Sequence, residues 1–345
     1  VEKLRGMFAF AIWDDRSDEL YLVRDRLGVK PLYYSIQDRQ LVFGSTASAL
    51  RDSGFVSALD QQAIVEFLEF GYVTDQRSIY EKVAKVQAGH IVKWKNGIIS
   101  NREYWHLPSV EHQDISFTEA VDETERLFLQ AVKRRLFADV PVGALLSGGI
   151  DSSLVCWAIS ELGGDIRAYT VGTPGDAMDE TEGAKATAKQ LGLAHEVLKI
   201  VANDQPNIDE MVSAYCEPFA CASALGMLGV AQVVRKSATV LLTGDGGDDV
   251  FLGYPEHKHL WLAQNVATST PRVISDVLML SQNLLPRRGT LKRLGSFLSY
   301  TTGGLGAVMS AHDGLPTYQR DGVLVERVRN ARIPNRDLTR SPEKA

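Results

Sequence analysis

Apolar residues in the first 105 positions come in short runs separated by polar turns, which is the pattern of short β-strands. The run from Met7 to Trp13 predicts a first strand, and the polar stretch 14–18 predicts the turn after it. The pattern also predicts strands at 20–23 and 41–44, a third strand after the turn in 24–34, a helix at 63–70, and a hairpin over 89–105 turning at 95–97. This part of the chain is therefore expected to be rich in β-structure.

The pattern changes near residue 115, where apolar residues begin to recur at helical spacing. Ser116 and Glu119 are spaced as a capping box and predict a helix that runs to about Phe137. Short apolar strands and helices then alternate, as in a parallel α/β sheet. The strands are predicted at 142–146, 166–171, 195–199 and 238–242, and the helices at 152–162, 180–191, 206–215 and 224–236.

This change predicts two domains, 1–112 and 113–345, and an overall α/β fold class in which a β-rich part precedes a parallel-sheet part. The pattern weakens from about residue 265, and roughly the last 20 residues are expected to be charged loop.

Composition narrows the class of protein without identifying it. A hydrophobic fraction of 45% and a charged fraction of 23% are typical of a soluble globular protein. The net charge of -6 argues against a nucleic-acid binder that relies on bulk electrostatics. No run approaches the roughly 18–20 apolar residues of a membrane span. Three cysteines in 345 residues do not suggest a disulfide framework and predict a reducing, cytoplasmic location.

The strongest chemical signal is the loop 147–153, where an apolar strand runs into Ser147-Gly148-Gly149 and a helix follows at once. Two glycines let the backbone approach a phosphate closely. Polar residues at 151–153 fall at the helix start, where free N–H groups favour an anion. No Gly-Lys-Ser/Thr follows, so this is not a Walker P-loop. A capped glycine turn without a ligand is the simpler alternative.

A second Gly-rich turn follows the apolar strand at 240–242 and carries Asp245, Asp248 and Asp249. Three neighbouring carboxylates repel one another unless a cation binds, which suggests Mg²⁺ beside a triphosphate. One of them could also act as a base toward an incoming amine. Asp245 and Asp248 would face one ligand if the turn is helical. The alternative is an acidic loop with a purely structural role.

The loop 147–153 resembles the pyrophosphate loop of the ATP pyrophosphatase superfamily, and the segment 240–254 is similar to the acidic signature of asparagine synthetases within it. This resemblance implies that Asp151 and Asp248 hold Mg²⁺ and that Asp245 lies near the attacking ammonia. Lys258 follows closely enough to reach a phosphate, although a solvent-facing lysine fits equally well. The residues implied to bind ATP or pyrophosphate are Leu145, Ser147, Gly148, Gly149, Asp151, Ser152, Ser153, Val171, Gly244 and Gly246.

The segments 4–14 and 24–34 resemble the second half of a class II glutaminase domain, which implies a fragment of the N-terminal-nucleophile hydrolase fold. In that family the nucleophile is a cysteine at the mature N-terminus, whose α-amine serves as base. Because this chain opens with Val1, we expect the chain as given not to hydrolyse glutamine. Cys216 and Cys221 stand where the family has or often has Asp, and these departures concern the recognition of the acceptor.

Together the resemblances imply an asparagine synthetase (glutamine-hydrolysing) that uses ATP and Mg²⁺ to make asparagine from aspartate and glutamine or ammonia, through β-aspartyl-AMP. Three alternatives remain open: a relative that amidates another acid or closes a β-lactam ring, an ammonia-dependent ligase, and an inactive remnant that only binds nucleotide. The expected partners are small-molecule substrates and a second copy in a homodimer, without nucleic acid or membrane.

Overall fold

The computed structural model describes residues 1–74, 77–109, 114–172, 179–200, 208–221 and 223–271, together with Ile274 and Val277. The chain packs as two compact units. The first unit contains Val1–Ser109, Val212–Cys221 and the chain from Lys258 onward, and the second contains Val110–Met211 and Ala222–His257. The predicted boundary at residue 112, the first two residues of the predicted helix 206–215, and the predicted charged loop at the end lie outside the described residues.

Two antiparallel sheets dominate the first unit. Its strands are β1 (Ala9–Asp14), β2 (Glu19–Arg24), β3 (Tyr33–Gln37), β4 (Gln40–Gly44), β5 (Val83–Lys85), β6 (His90–Lys95) and β7 (Ile98–Glu103). One sheet has the order β1-β2-β6-β7 and the other the order β4-β3-β5. Helices α1 (Ala47–Asp52) and α2 (Gln61–Phe70) lie between β4 and β5 in the chain.

The predicted hairpin is confirmed as β6 and β7, which are joined by the two residues Asn96 and Gly97. Their φ angles are 50° and 85°, and a two-residue turn with positive φ at both positions matches the twist of the flanking strands. The Asn-Gly pair tolerates this conformation better than other residues do, so the turn sets the register in which Trp94 faces Ile99.

A buried aspartate organises the turn that follows β2. The Asp25 side chain is 1% exposed, and its two oxygens accept hydrogen bonds from the backbone N–H groups of Phe8, Leu27, Val29 and Lys30. The neighbouring Arg24 guanidinium donates to the carbonyls of Gly28, Lys30 and Val86. The polar groups of this turn are therefore satisfied by two adjacent side chains rather than by water.

The segment Val212–Cys221 packs within the first unit although it lies far along the chain. The Glu217 carboxylate pairs with Lys85 Nζ at 2.8 Å and accepts a hydrogen bond from the Ile79 N–H at 3.0 Å. Both charged side chains are largely buried, at 13% and 10% exposed, so either left alone would carry an unpaired charge. Tyr33 donates to the same carboxylate, and burial together with the charge of Glu217 raises the pKa of its phenol.

The second unit is built on a parallel sheet. Its helices are α3 (Phe117–Arg135), α4 (Ile150–Glu161), α5 (Thr181–Leu191), α7 (Ala224–Val234) and α8 (Gly247–Phe251), and its strands are β8 (Val142–Leu145), β9 (Arg167–Gly172), β10 (His195–Lys199) and β11 (Val240–Leu242). Helices α6 (Ile208–Tyr215) and α9 (Glu256–Ser269) each have residues in both units. The sheet order is β10-β9-β8-β11.

The alternation of strands and helices predicted for this part is confirmed, and the capping box of α3 is present as predicted. The core of the second unit lies against α4, where Cys156, Ala158 and Ile159 are fully buried together with Leu146, which follows β8, and Ala168 of β9. Four short or weakly patterned elements, α1, β5, α8 and α9, were not predicted. No disulfide joins any of the three cysteines, all of which lie in the described residues. No helix in the described part of the chain is both long and apolar enough to cross a bilayer.

Candidate functional site

The order of the parallel strands creates a switch point between β8 and β11, at the carboxyl ends of the strands. From β8 the chain moves outward to β9 and β10, and it then returns to place β11 on the other side of β8. The loops after β8 and β11 therefore start at neighbouring carboxyl ends. In open α/β sheets ligands bind at this kind of switch point. Both Gly-rich segments that the sequence singles out begin here.

Serine hydroxyl groups of the loop after β8 form hydrogen bonds with one another and with the loop's own backbone. The N–H of Ser147 donates to Ser152 Oγ at 3.2 Å, and the N–H of Gly149 donates to Ser147 Oγ at 3.1 Å. Ser152 Oγ and Ser147 Oγ lie 2.9 Å apart. Ser153 Oγ donates to the Gly149 carbonyl at 2.7 Å, one turn back in α4. These bonds place the loop directly at the start of α4, as predicted.

Gly149 is the N-cap of α4 and no side chain caps this end. The first N–H groups of the helix therefore keep the capacity to bind an anion, and the helix dipole favours negative charge there. The N–H of Gly148 is taken by the Glu180 carboxylate at 3.0 Å, and the side chain of Glu180 lies against the Cα of Gly148. A carboxylate thus occupies one backbone donor of this loop.

The loop after β11 continues into the short helix α8, whose N-cap is Gly246 with φ 92°. Asp248 and Asp249 lie in the first turn of α8, whereas Asp245 precedes the cap and accepts a hydrogen bond from Thr243 Oγ1 at 2.8 Å. From the sequence, Asp245 and Asp248 are expected to face one ligand if a helical turn includes both. Asp245 lies outside α8, so this condition is not met. The left-handed residue at Gly246 separates them.

The two loops are in direct contact. A Cβ built on Gly244 would lie 2.7 Å from the backbone N of Ser152 and 2.8 Å from Asp151 Cβ. A Cβ on Gly247 would lie 2.6 Å from Cγ of Asp151 and 2.7 Å and 2.8 Å from its carboxylate oxygens. Real Cβ atoms do not approach other atoms this closely, so a side chain at Gly244 requires the backbone of α4 to shift, and one at Gly247 requires the Asp151 carboxylate to move. The contact joins the two motifs, about 95 residues apart in the chain, into one site.

Negative charge collects around the phenol of Tyr254. The charge of Asp249 raises the pKa of this tyrosine, and burial and the charges of Asp248, Asp245 and Asp151 add to the effect. Carboxylates from both loops therefore lie near one another. Across the described residues, no group of three or more His, Cys, Asp or Glu side chains converges to hold a metal ion alone. A cation here would need further ligands from a bound phosphate or from water.

The remaining predicted residues are distributed as follows. Leu145 ends β8 beside Tyr169, and Val171 packs its side chain against the cluster of Tyr169, Val234 and Ala238. Lys258 lies on α9, in the first unit. The roles of all these residues in ligand binding remain predictions.

Two residues of this region were not singled out for the site by the sequence. Thr170 is 4% exposed, donates to the carbonyl of Leu146 at 2.6 Å and lies 2.8 Å from His195 Nε2. His195 is a single histidine in this part of the sequence, and the sequence offers no signal that its ring contacts Thr170 on β9. Asp179-Glu180 before a helix fits the resemblance to asparagine synthetases, but the sequence does not indicate that the Glu180 carboxylate accepts from the Gly148 N–H. Both contacts cross between elements and leave no local pattern.

Comparisons with known proteins match both parts of the chain. The family model described as asparagine synthase matches residues 123–328, and the one described as a glutamine amidotransferase domain matches residues 1–105. A Methanocaldococcus jannaschii protein provisionally named asparagine synthetase [glutamine-hydrolyzing] 2 is 32% identical over 74% of this chain and 51% of its own length. Asparagine synthetase [glutamine-hydrolyzing] 1 of Bacillus subtilis is 31% identical over 74% of this chain and 40% of its own length.

A third relative has a different name. Amidase chry2 of Gibberella zeae is 31% identical over 78% of this chain and 44% of its own length. The chain thus spans about half, or less, of the length of the curated relatives it matches.

Proposed function

This chain belongs to the asparagine synthase family, and on that premise we propose that the second unit uses ATP to activate a carboxylate for amide formation, with aspartate as acceptor and asparagine as product. In the proposed reaction the β-carboxylate of aspartate attacks the α-phosphorus of ATP and releases pyrophosphate. Ammonia then attacks the carbonyl carbon of β-aspartyl-AMP and releases AMP.

One observation carries this proposal more than any other: Gly244 and Gly247 pack against Asp151 and Ser152 at the switch point of the sheet. A phosphate-binding loop and an acidic loop that meet in this way can serve the two halves of one reaction. The start of α4 would bind the leaving pyrophosphate through its free N–H groups. The acidic loop would lie beside the point where the amine arrives, so Asp245 is proposed to receive its proton.

The residues present fit a magnesium ion that accompanies the triphosphate. Mg²⁺ is commonly held by one or two carboxylates, with phosphates and water completing its six ligands. Asp151 and Asp248 are the proposed protein ligands, and the gathering of carboxylates around Tyr254 supports a cation in this region. The bound ion would supply neutralisation of the charge that develops on the leaving pyrophosphate.

The nitrogen source is proposed from the first unit. Its match to a glutamine amidotransferase domain over residues 1–105 supports glutamine as donor in the complete protein. Ammonia used directly is the alternative. Comparing the rate of asparagine formation with glutamine and with ammonium chloride separates the two, because an ammonia-dependent ligase would not respond to glutamine.

A second candidate acceptor class is a carboxylate other than aspartate. Two observations support this alternative. One is the similarity to Amidase chry2, and the other is the presence of cysteines at 216 and 221 in place of the family's acidic residues. Cys216 lies within hydrogen-bond distance of Ser48 Oγ, at 3.0 Å, in the segment that packs with the first unit. Neither group carries the negative charge that would pair with the amino group of aspartate.

The test is carboxylate-dependent exchange of labelled pyrophosphate into ATP, measured on the full-length protein with a panel of amino and organic acids. Aspartate is expected to give the highest rate, and Asp151→Asn to remove most of the exchange. Asp245→Asn should spare exchange more than amide formation, since its proposed role follows adenylation. Exchange with no carboxylate in the panel would overturn the proposal, and exchange with another acid alone would move it to the second candidate.

Three broader features remain proposals. Three cysteines that form no disulfide support a reducing location such as the cytoplasm. A domain boundary near residues 112–113 would separate the amidotransferase part from the synthetase part. A homodimer in solution is proposed from the family resemblance, and the molar mass of the full-length protein from light scattering would test it.

A further inference from the structure

A directed chain of hydrogen bonds runs from His195 to the strand end that leads into the phosphate loop. Thr170 Oγ1 donates its single proton to the carbonyl of Leu146 at 2.6 Å. The same oxygen lies 2.8 Å from His195 Nε2. Because a threonine hydroxyl has one proton and this one is already used, its oxygen must accept from His195 Nε2–H. The direction of the chain is therefore from His195 through Thr170 to Leu146.

These hydrogen bonds end at the peptide group between Leu146 and Ser147, where the loop begins. The carbonyl of Leu146 accepts from Thr170, and the N–H of Ser147 in the same peptide plane donates to Ser152 Oγ at 3.2 Å. The plane is thus held from both sides by side-chain hydroxyls. Thr170 is 4% exposed and Ser152 is 7% exposed, so water does not readily replace either bond. The orientation of this plane sets where the following N–H groups of the loop point.

The hydrogen bond from His195 determines the direction of the Thr170 hydroxyl proton. A hydroxyl rotates about its C–O bond and has several positions for its proton. The donor from His195 occupies one lone-pair direction and leaves the proton directed at Leu146. Burial lowers the pKa of His195, and the charge of Lys185 on α5 lowers it further, which favours the neutral ring. Helix α7, also packed on β10, carries no titratable side chain. The neutral ring must then carry its proton on Nε2.

We propose that His195 is a positioning residue for ATP binding, which orients the Leu146–Ser147 peptide through the hydroxyl of Thr170. This inference rests on the proposed function of the loop and extends it to a residue outside the loop. The hydrogen bonds that link His195 to the start of the loop run through Thr170. The effect of His195 is therefore on the affinity for the nucleotide phosphates and not on the chemistry of the acceptor.

The first measurement is binding of α,β-methylene-ATP with Mg²⁺ to the full-length protein by calorimetry. His195→Met keeps the volume of the side chain and removes the donor, and it is expected to raise Kd about five- to tenfold. His195→Gln places an amide donor near the position of Nε2 and should stay within about twofold of wild type. Thr170→Val, which keeps the shape of threonine in a strand, should raise Kd as His195→Met does.

The combined variant Thr170→Val, His195→Met decides whether the two residues act in one chain. If they do, the double variant binds no more weakly than Thr170→Val alone, because the link is already broken. Ser160→Ala is the matched control. Ser160 Oγ also donates to a backbone carbonyl, that of Leu191 at 2.8 Å, but this bond lies away from the loop. The control variant should lower Tm without changing Kd.

The outcomes separate this inference from the proposed function. If wild type does not bind the ATP analogue, the proposed function and this inference both fail. If wild type binds and His195→Met binds equally well, only the inference fails. A rise in Kd of the same size in His195→Gln would also overturn it, because shape and not the donor would then be responsible. Additive losses in the double variant would show that His195 acts independently of Thr170.

Discussion

Replacing Gly244 by alanine tests the contact that joins the two loops. The added Cβ would lie 2.7 Å from the backbone N of Ser152 and 2.8 Å from Asp151 Cβ. Ordinary contacts between such atoms are about 3.5–4.0 Å, so the loops must separate by roughly 0.8 Å or more. The atoms that obstruct the Cβ include the backbone of the first turn of α4, which cannot rotate away as a side-chain tip can.

The expected magnitudes follow from this displacement. Forcing an extra carbon into a packed contact costs about 1–3 kcal/mol of stability. A shift of about 1 Å between groups that must act together can lower a rate by about 10²-fold. Gly244→Ala should therefore fold, melt a few degrees lower, and lose about 10²-fold in the rate of aspartate-dependent pyrophosphate exchange.

Two neighbouring glycines provide controls. Gly247→Ala meets only the Asp151 side chain, at 2.6–2.8 Å, so the carboxylate can swing aside and the main expected effect is a higher Mg²⁺ requirement. Gly246→Ala meets no atom within 4 Å, but its φ of 92° disfavours alanine, so it reports backbone strain alone. Wild-type exchange and wild-type Tm in Gly244→Ala would refute the contact between the loops. An equal loss in Gly246→Ala would attribute the effect to strain.

Three further predictions concern the scaffold. Asp25→Ala leaves four backbone N–H groups without their acceptor and should lower the free energy of unfolding by about 3 kcal/mol in urea titration; a change below 1 kcal/mol, within the usual effect of surface substitutions, would contradict the role of this turn. Ser116→Ala removes the cap of α3 and should cost about 1 kcal/mol. Because hydrogen bonds from Ser116 hold the pKa of Glu119 below its usual range, the same variant should raise that pKa in an NMR titration, and an unchanged value would exclude the capping box in solution. The pKa of His195 is lowered on folding, so the unfolded chain binds its proton more readily, and Tm should fall as pH drops below about 6.5. His195→Gln should flatten this slope, and an equally steep slope in the variant would assign it to other groups.

The elements that could be predicted from sequence are those whose cause lies within a few residues. The Asn96-Gly97 turn, the capping box at Ser116 and the Gly-rich loop before α4 each depend on local backbone preferences or short-range hydrogen bonds. The short helix α8 was missed because a five-residue helix shows no hydrophobic period. The resemblance of the two loops to one family was also readable, since each motif is contiguous in the chain.

Contacts between distant elements were decided only by the tertiary structure. Hydrophobic spacing indicates that Thr170 and His195 lie on strands, but not that β9 and β10 are neighbours with these two side chains bonded. Glu217 reaches the N–H of Ile79 across 138 residues, and no sequence pattern pairs them.

The sequence by itself determined the chemistry carried by each loop, because glycines, carboxylates and a helix start express that chemistry locally. The tertiary structure decided that the two loops meet, because the crossing from β10 to β11 places β11 beside β8 and packs Gly244 and Gly247 against Asp151 and Ser152.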